Sequence, residues 1–310
     1  MSHIKILNSK EIQEFDEPPL LTGEGRKYFF YISTHALKAI KSLQTPTNQL
    51  GFLLQLGYFK ASKRFFSSSK FHFSDIEYAQ KKLNLKTSEI ALSDYSGTTF
   101  RRHQEIILKE LGIKSFDDCG RKLFKFEAMK SCKKQIKPRS ILIALIEYLK
   151  WKRIEIPQYN TFAEIITKSL RKYEQRLLSV VEKNLTSDIK KHLDGLLEKE
   201  NIISGDNESS LKVKRYKLTN LKRSSQSTRP FKIKENIENL DTFESLFDDV
   251  KPVIVKLGLS SELIQHYAQI VLKSRSFQID RRKNRKYLYL IAFVFHQYYT
   301  LNDILTEQVK

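Results

Sequence analysis

The sequence predicts an all-α protein, and three observations carry that expectation. Glycine and proline are scarce, Gly 10 and Pro 7 in 310 residues. Pro46 and Pro138 stand where a first helical turn accepts proline, because the N–H it lacks has no partner there. Leu, Ile, Lys and Glu abound, and apolar residues recur at helical spacing in segment after segment, as Phe100, Ile107 and Leu111 do.

Taken in order, 9–15 reads as a short helix in an acidic first segment that continues past Pro18 and Pro19 as an extended arm to about Arg26. Ser33 caps a helix running to Leu43, and Thr45-Pro46 opens the next. Over 50–59 that helix is apolar almost all round, which predicts burial on every side. Gly51 and Gly57 permit close packing there, and Lys60, Lys63 and Arg64 form the exposed end. Ser74 with Glu77 reads as a capping box. A short piece at 86–92 follows, then a helix capped by Thr98 or Thr99 and stopped by Gly112. Together these suit a helix-turn-helix-like unit.

A helix at 119–134 carries a basic tail. Pro138 opens a helix with Ile141, Leu142, Leu145, Ile146 and Leu149 on one side, and 153–157 runs extended before its proline. Thr161 and Glu164 form a capping box for a long helix, and a further helix spans 185–199. A polar loop at 204–210 and a basic linker follow. Helices at 260–274, 281–299 and 301–308 close the chain. The expected organisation is a helical domain at 1–136, a second lobe at 137–203, a basic linker at 204–230 and a C-terminal lobe at 231–310.

Lys+Arg 55 against Asp+Glu 35 leaves a net charge of +20. Such a surplus suits a polyanion, nucleic acid or an anionic membrane surface. The most apolar windows, 141–146 and 288–295, are far shorter than a membrane span. Cys119 and Cys132 lack metal-site spacing and are expected as reduced, partly buried thiols of a cytoplasmic, nucleoid-associated protein. The charged N-terminus has no signal-peptide pattern.

The helix ending at Gly112 sets Phe100, Ile107 and Leu111 on one side and Arg101, Arg102 and Lys109 on the other. A solvated charged face is the plain reading, and a helix presented to nucleic acid is the sharper one. His103 borders the apolar side and reads as a hydrogen-bonded core residue. The candidate DNA contacts are Arg101 and Arg102, then Lys60, Lys63, Arg64, Lys168, Arg171, Lys172, Arg215, Lys222, Arg223, Arg229, Arg281, Arg282 and Lys283. Base readout is expected mainly from Arg101 and Arg102, because a guanidinium can engage guanine in two hydrogen bonds.

The order of motifs resembles the N-terminal region of replicative transposases of the Tn-three family, that of the ampicillin-resistance transposon. The residues that carry it are 48–59, then Tyr95 with Arg101, Arg102, His103, Ile107 and 111–113, then 153–157, 193–197 and Arg281-Arg282-Lys283 before Leu288. It runs from about Gly51 to the last residue. The resemblance implies helical modules that bind the terminal inverted repeats of the transposon as double-stranded DNA. It also implies that the Mg²⁺-dependent Asp-Asp-Glu domain lies outside this chain, as in a truncated copy, a split gene or an excised segment.

No catalytic residue, metal ligand or cofactor is expected in the chain itself. The only locally dense carboxylates, Asp117-Asp118 and Asp248-Asp249, read as helix-capping pairs. A piece completed by a separate catalytic transposase chain, a stand-alone regulator or competitor, and a non-enzymatic helical scaffold stay open as alternatives. Oligomeric state is not legible.

Overall fold

The computed structural model describes residues 4–204 and 211–309, so most of the expected polar loop lies outside the described residues. The fold is all-α, with one two-stranded hairpin among the described residues. It divides into two compact units, Met1–Ser131 with Lys137–Ser169, and Cys132–Ile136 with Leu170–Lys310. The division therefore falls at 169/170, inside a helix, rather than at the expected 136/137. Pro138 does open a helix, but that helix belongs to the first unit.

In the first unit, α1 (Ser9–Asp16) starts at Asn8, whose side chain and that of Glu11 cap each other's backbone. Helix α2 (Gly23–Phe29) replaces the expected extended arm. Its two glycines hide it in the sequence; the Thr22 hydroxyl, accepting from Gly25 N at 3.2 Å, fixes its start. Helices α3 (Thr34–Lys41) and α4 (Pro46–Ser62) begin at Ser33 and Thr45 as expected. Then come α5 (Phe73–Leu83), α6 (Gly97–Leu111), α7 (Asp118–Cys132) and α8 (Pro138–Trp151). Helix α9 (Tyr159–Asn184) contains the residue division.

Several starts differ from expectation. Helix α5 begins after His72 and α6 after Ser96, neither with a side-chain cap bond. The backbone turned helical one or more residues before the expected caps, so Ser74, Thr98 and Thr161 lie inside helices. The middle piece at 86–92 is not a helix. It forms 3-10 turns at Thr87–Glu89 and Leu92–Asp94, being too short to nucleate an α-helix without an apolar face to bury.

Every residue from Leu50 to Phe59 is buried. Aromatic rings, rather than a neighbouring backbone, fill the glycine positions. A Cβ on Gly51 would lie 2.6 Å from the Tyr95 ring, and one on Gly57 would overlap the Phe30 ring. Around them Phe52, Leu53, Leu56, Tyr58 and Phe59 join Ala36, Ile40, Ala79 and Ile107 in one core.

In the second unit, α10 (Ser187–Gly195) ends early, and the chain enters a hairpin of β1 (Lys199–Ser204) and β2 (Leu211–Tyr216), antiparallel with Lys199 opposite Tyr216. The expected linker is thus partly sheet. Its Lys-Val-Lys-Arg-Tyr alternation is a strand pattern masked by charge. Helix α11 (Lys217–Leu221) follows, then α12 (Pro230–Leu257), α13 (Ser261–Lys273), α14 (Ser276–Asp280) and α15 (Arg285–Val309). The last is one helix where two were expected. Leu288 to Val294 of α15 are all buried, with Phe293 set edge-on to Phe243 of α12. The segment between α11 and α12 is pinned: Asn236 donates to Ser225 O at 2.7 Å, and Gln308 donates to the carbonyls of Ser225 and Ser227, both at 2.9 Å.

Gly57→Ala should cost about 1–3 kcal/mol, because the Phe30 ring must be displaced from a packed core. Gly23→Ala, whose Cβ meets nothing within 4 Å, should change stability by less than about 0.5 kcal/mol. Urea unfolding of the two variants decides this; equal midpoints would show that Phe30 yields freely.

Candidate nucleic-acid interface

The candidate cations fall into three kinds of surroundings. Arg101 and Arg102 stand exposed on the first turns of α6, and neither guanidinium has an ion-pair partner among the described residues. Behind them α6 is anchored by His103, which is 2% exposed and whose Nδ1 is hydrogen-bonded to the Tyr95 hydroxyl at 2.7 Å. Burial first, and the nearby Arg102 charge second, lower the His103 pKa to about 4. The ring is therefore neutral at pH 7, and it sits edge-on to Phe52 of α4. The two arginines are carried by a helix locked to the central one.

A second group is committed to the protein. Arg64, expected at an exposed end, is buried. It donates to Asp16 at 2.7 Å and lies 4.1 Å over the Phe15 ring. The chain turns back after α4, so this side chain faces α1 instead of solvent. Lys168 pairs with Glu164 at 2.6 Å. Lys222 is half-buried with its amine 2.7 Å from Ser274 O, and burial lowers its pKa to about 8. Arg171, which has interactions of its own, and Lys172 lie exposed on α9. Arg215 on β2, Arg223 and Arg229 are exposed in the second unit.

The third kind is clustered. Arg281, Arg282 and Lys283 form the turn between α14 and α15 and line, with Asn284 and Arg285, a hollow of about 640 Å³. All five are exposed. Lys283 has φ 46°, uncommon for a side chain with a Cβ, and Arg281 and Arg282 lie 5.4 Å over Phe277 and Tyr289. In the first unit, Lys60 and Lys63 meet residues the sequence reading passed over. A groove of about 710 Å³ is lined by Glu24, Lys27, Tyr28, Phe29, Tyr31, Lys60 and Lys63. The signal available was the run Lys27-Tyr28-Phe29-Phe30-Tyr31, aromatic residues beside a cation, which falls between the expected arm ending near Arg26 and the helix capped by Ser33.

Of the carboxylates weighed for catalysis, Asp117 caps a helix as expected, whereas Asp248 and Asp249 lie in the interior of α12 rather than at a cap. Asp117 accepts from Gly120 N at 2.8 Å at the start of α7, and Asp249 pairs with His192 at 2.6 Å. Among the described residues no three His, Cys, Asp or Glu side chains gather as metal ligands, and no helix is long and apolar enough to cross a membrane. Both cysteines are free thiols. Cys132 is buried, which pushes its pKa up to about 12, while Cys119 is exposed against expectation because it sits in the first turn of α7.

Residues 6–169 match the model of a family described as Domain of unknown function (DUF4158). The chain belongs to the DUF4158 family. No curated protein matches it. The DUF4158 match ends at the residue where the first compact unit ends, so the family domain and that unit share a boundary. Arg101, Arg102, Lys60, Lys63, Arg64 and Lys168 lie inside the DUF4158 domain, whereas the 281–285 turn lies outside it.

The lowered pKa of His103 sets a pH dependence. Unfolding returns the ring to its ordinary value of 6.5. The stability from keeping it neutral is fully present above pH 6.5 and is lost as pH falls towards 4, on the order of 3 kcal/mol in all. Chemical unfolding between pH 7.5 and 4 should show this loss in the wild type and a shallower one in His103→Gln. Identical profiles would remove His103 as the cause.

Proposed function

We propose that the chain is a double-stranded-DNA-binding module that recognises transposon terminal inverted repeats, the end-binding part of a Tn-three family type of transposase, with no strand chemistry of its own. The observation that carries this reading is the set of exposed cations left without carboxylate partners: Arg101 and Arg102 on α6, and Arg281, Arg282 and Lys283 in one turn. Solvated cations of this kind neutralise phosphate and release counterions, and a paired arginine row on a helix suits major-groove guanine. The sequence resemblance supplies the choice of inverted repeats. Magnesium belongs, on this reading, to a catalytic domain or partner chain.

The rival reading is a non-enzymatic helical scaffold, and a specific observation favours it. Arg64 and Lys222 spend their charge inside the protein, and Lys168 pairs with Glu164 on the surface, so part of the surplus is structural.

Fluorescence anisotropy on labelled duplexes separates the two. With ~6–10 phosphate contacts, raising salt from ~50 to ~200 mM should weaken binding roughly 10³–10⁵-fold, and a nearly flat titration would favour the scaffold. Arg101→Ala or Arg102→Ala should cost about 1–3 kcal/mol on a cognate repeat and less on random DNA, whereas Lys283→Ala should weaken all duplexes alike. Equal losses on both DNAs for the arginine variants would reduce α6 to a backbone contact. With Mg²⁺ or Mn²⁺ the bound DNA should stay intact. Nicking that disappears in Asp117→Ala or Asp248→Ala would overturn the non-catalytic assignment.

A further inference from the structure

The groove between α2 and the end of α4 combines two features that packing does not require. Tyr28 and Tyr31 are 76% and 63% exposed, although Phe30 between them is fully buried. Tyrosine rings of that size normally bury most of their area. The same groove gathers amines. Lys60 donates to Tyr31 O at 2.7 Å, which fixes the backbone that carries the second ring. Lys63 adopts φ 60° as the cap of α4 and turns its amine back to Lys60 O at 3.3 Å. Each ammonium keeps further donors for a ligand. Burial lowers the Lys60 pKa, with Lys63 and Lys82 adding repulsion, against the nearby Glu110. Glu24 is the other carboxylate at hand, so Lys27, Lys60 and Lys63 leave the groove cationic.

The wall is rigid. Arg26 of α2 is bonded at 2.5 Å to Asp75, a fully buried carboxylate on α5. Asp75 also accepts from the Tyr58 hydroxyl of α4 at 2.7 Å. A preformed groove of about 710 Å³ with exposed π-faces and several ammonium groups suits a base joined to a phosphate.

We propose that this groove binds unpaired nucleotides of a single DNA strand, with bases stacked on Tyr28 and Tyr31 and phosphates among Lys27, Lys60 and Lys63. The choice of DNA rests on the proposed function above; the stacking geometry does not. Stacking on open rings tolerates any base, so the groove holds a strand without reading it, as a melted or overhanging end beside a duplex would require.

The full chain is titrated with a labelled ~10-nucleotide oligo-dT, with a blunt hairpin duplex and with free dTMP. Tyr28→Ala and Tyr31→Ala should each weaken oligo-dT roughly 5- to 100-fold and leave the hairpin within about threefold. Tyr31→Phe should retain stacking. Because both tyrosines are exposed, thermal melts of the variants should match the wild type. Unchanged oligo-dT affinity in both alanine variants would overturn the proposal, as would no oligo-dT binding by a chain that binds the hairpin. dTMP binding as tight as the oligonucleotide would assign the groove to a free nucleotide and overturn the strand. Failure of hairpin binding with tyrosine-dependent oligo-dT binding would leave this proposal standing while the duplex reading falls.

Discussion

Helix α4 has no solvent face, and the first unit is built around that constraint. A helix buried over Leu50 to Phe59 must be surrounded, so α2, α3, α5 and α6 each supply part of its cover. Two positions are then too crowded for any side chain. Gly51 admits the Tyr95 ring and Gly57 the Phe30 ring, which bring the start of α6 and the end of α2 against the same helix. Those are two of the places that carry candidate DNA contacts. The exposed cations on α6 and the tyrosines beyond α2 are therefore placed by apolar packing on their hidden sides.

The polar groups within that core work in the same direction. An isolated buried carboxylate is costly, and Asp75 is tolerated because Arg26, Tyr58 and the short turn into α5 surround it. His72 N donates to the Tyr58 oxygen at 3.1 Å, so α2, α4 and the start of α5 meet in one network. Removing one member would leave the others buried and unsatisfied, which costs more than the bond contributes. Gln55 is the exception: it is 1% exposed, and its amide lies by the Tyr95 hydroxyl without a well-aligned hydrogen bond among the described residues.

What was legible in the sequence was whatever depended on local pattern. The burial of 50–59, the caps at Ser33 and Thr45, the helix opened by Pro138 and the bonded state of His103 all follow from periodicity and short-range chemistry. What was missed depended on distant partners. Arg64 looks like the exposed end of a helix until the left-handed Lys63 redirects it to Asp16, 48 residues earlier in the chain. Helix α2 has two glycines and reads as an arm, yet its cap and the Arg26–Asp75 pair hold it. The hairpin was hidden because its strands are charged, and charge suggested a linker. Of the candidate site, the residue types were legible; which cations face solvent was not, because that is decided by tertiary partners.

That sorting bears on how the net charge should be interpreted. A formal surplus of +20 suggests a uniformly cationic surface, but phosphate neutralisation draws on cations that can exchange protein or water contacts for a phosphate oxygen. Arg64 between rings, Lys222 on a carbonyl and Lys286 between Asp194 and Asp280 cannot do so without undoing the fold. The slope of affinity against salt should then follow the exposed, unpaired cations, Arg101, Arg102 and the 281–283 turn among them, and fall below what the total charge implies. A protein that used its whole surplus would slide on any polyanion. Cations held in one place by the fold, as Arg101 and Arg102 are on a helix tied to α4, give a defined footprint, and a defined footprint is the physical precondition for recognising one DNA end over another.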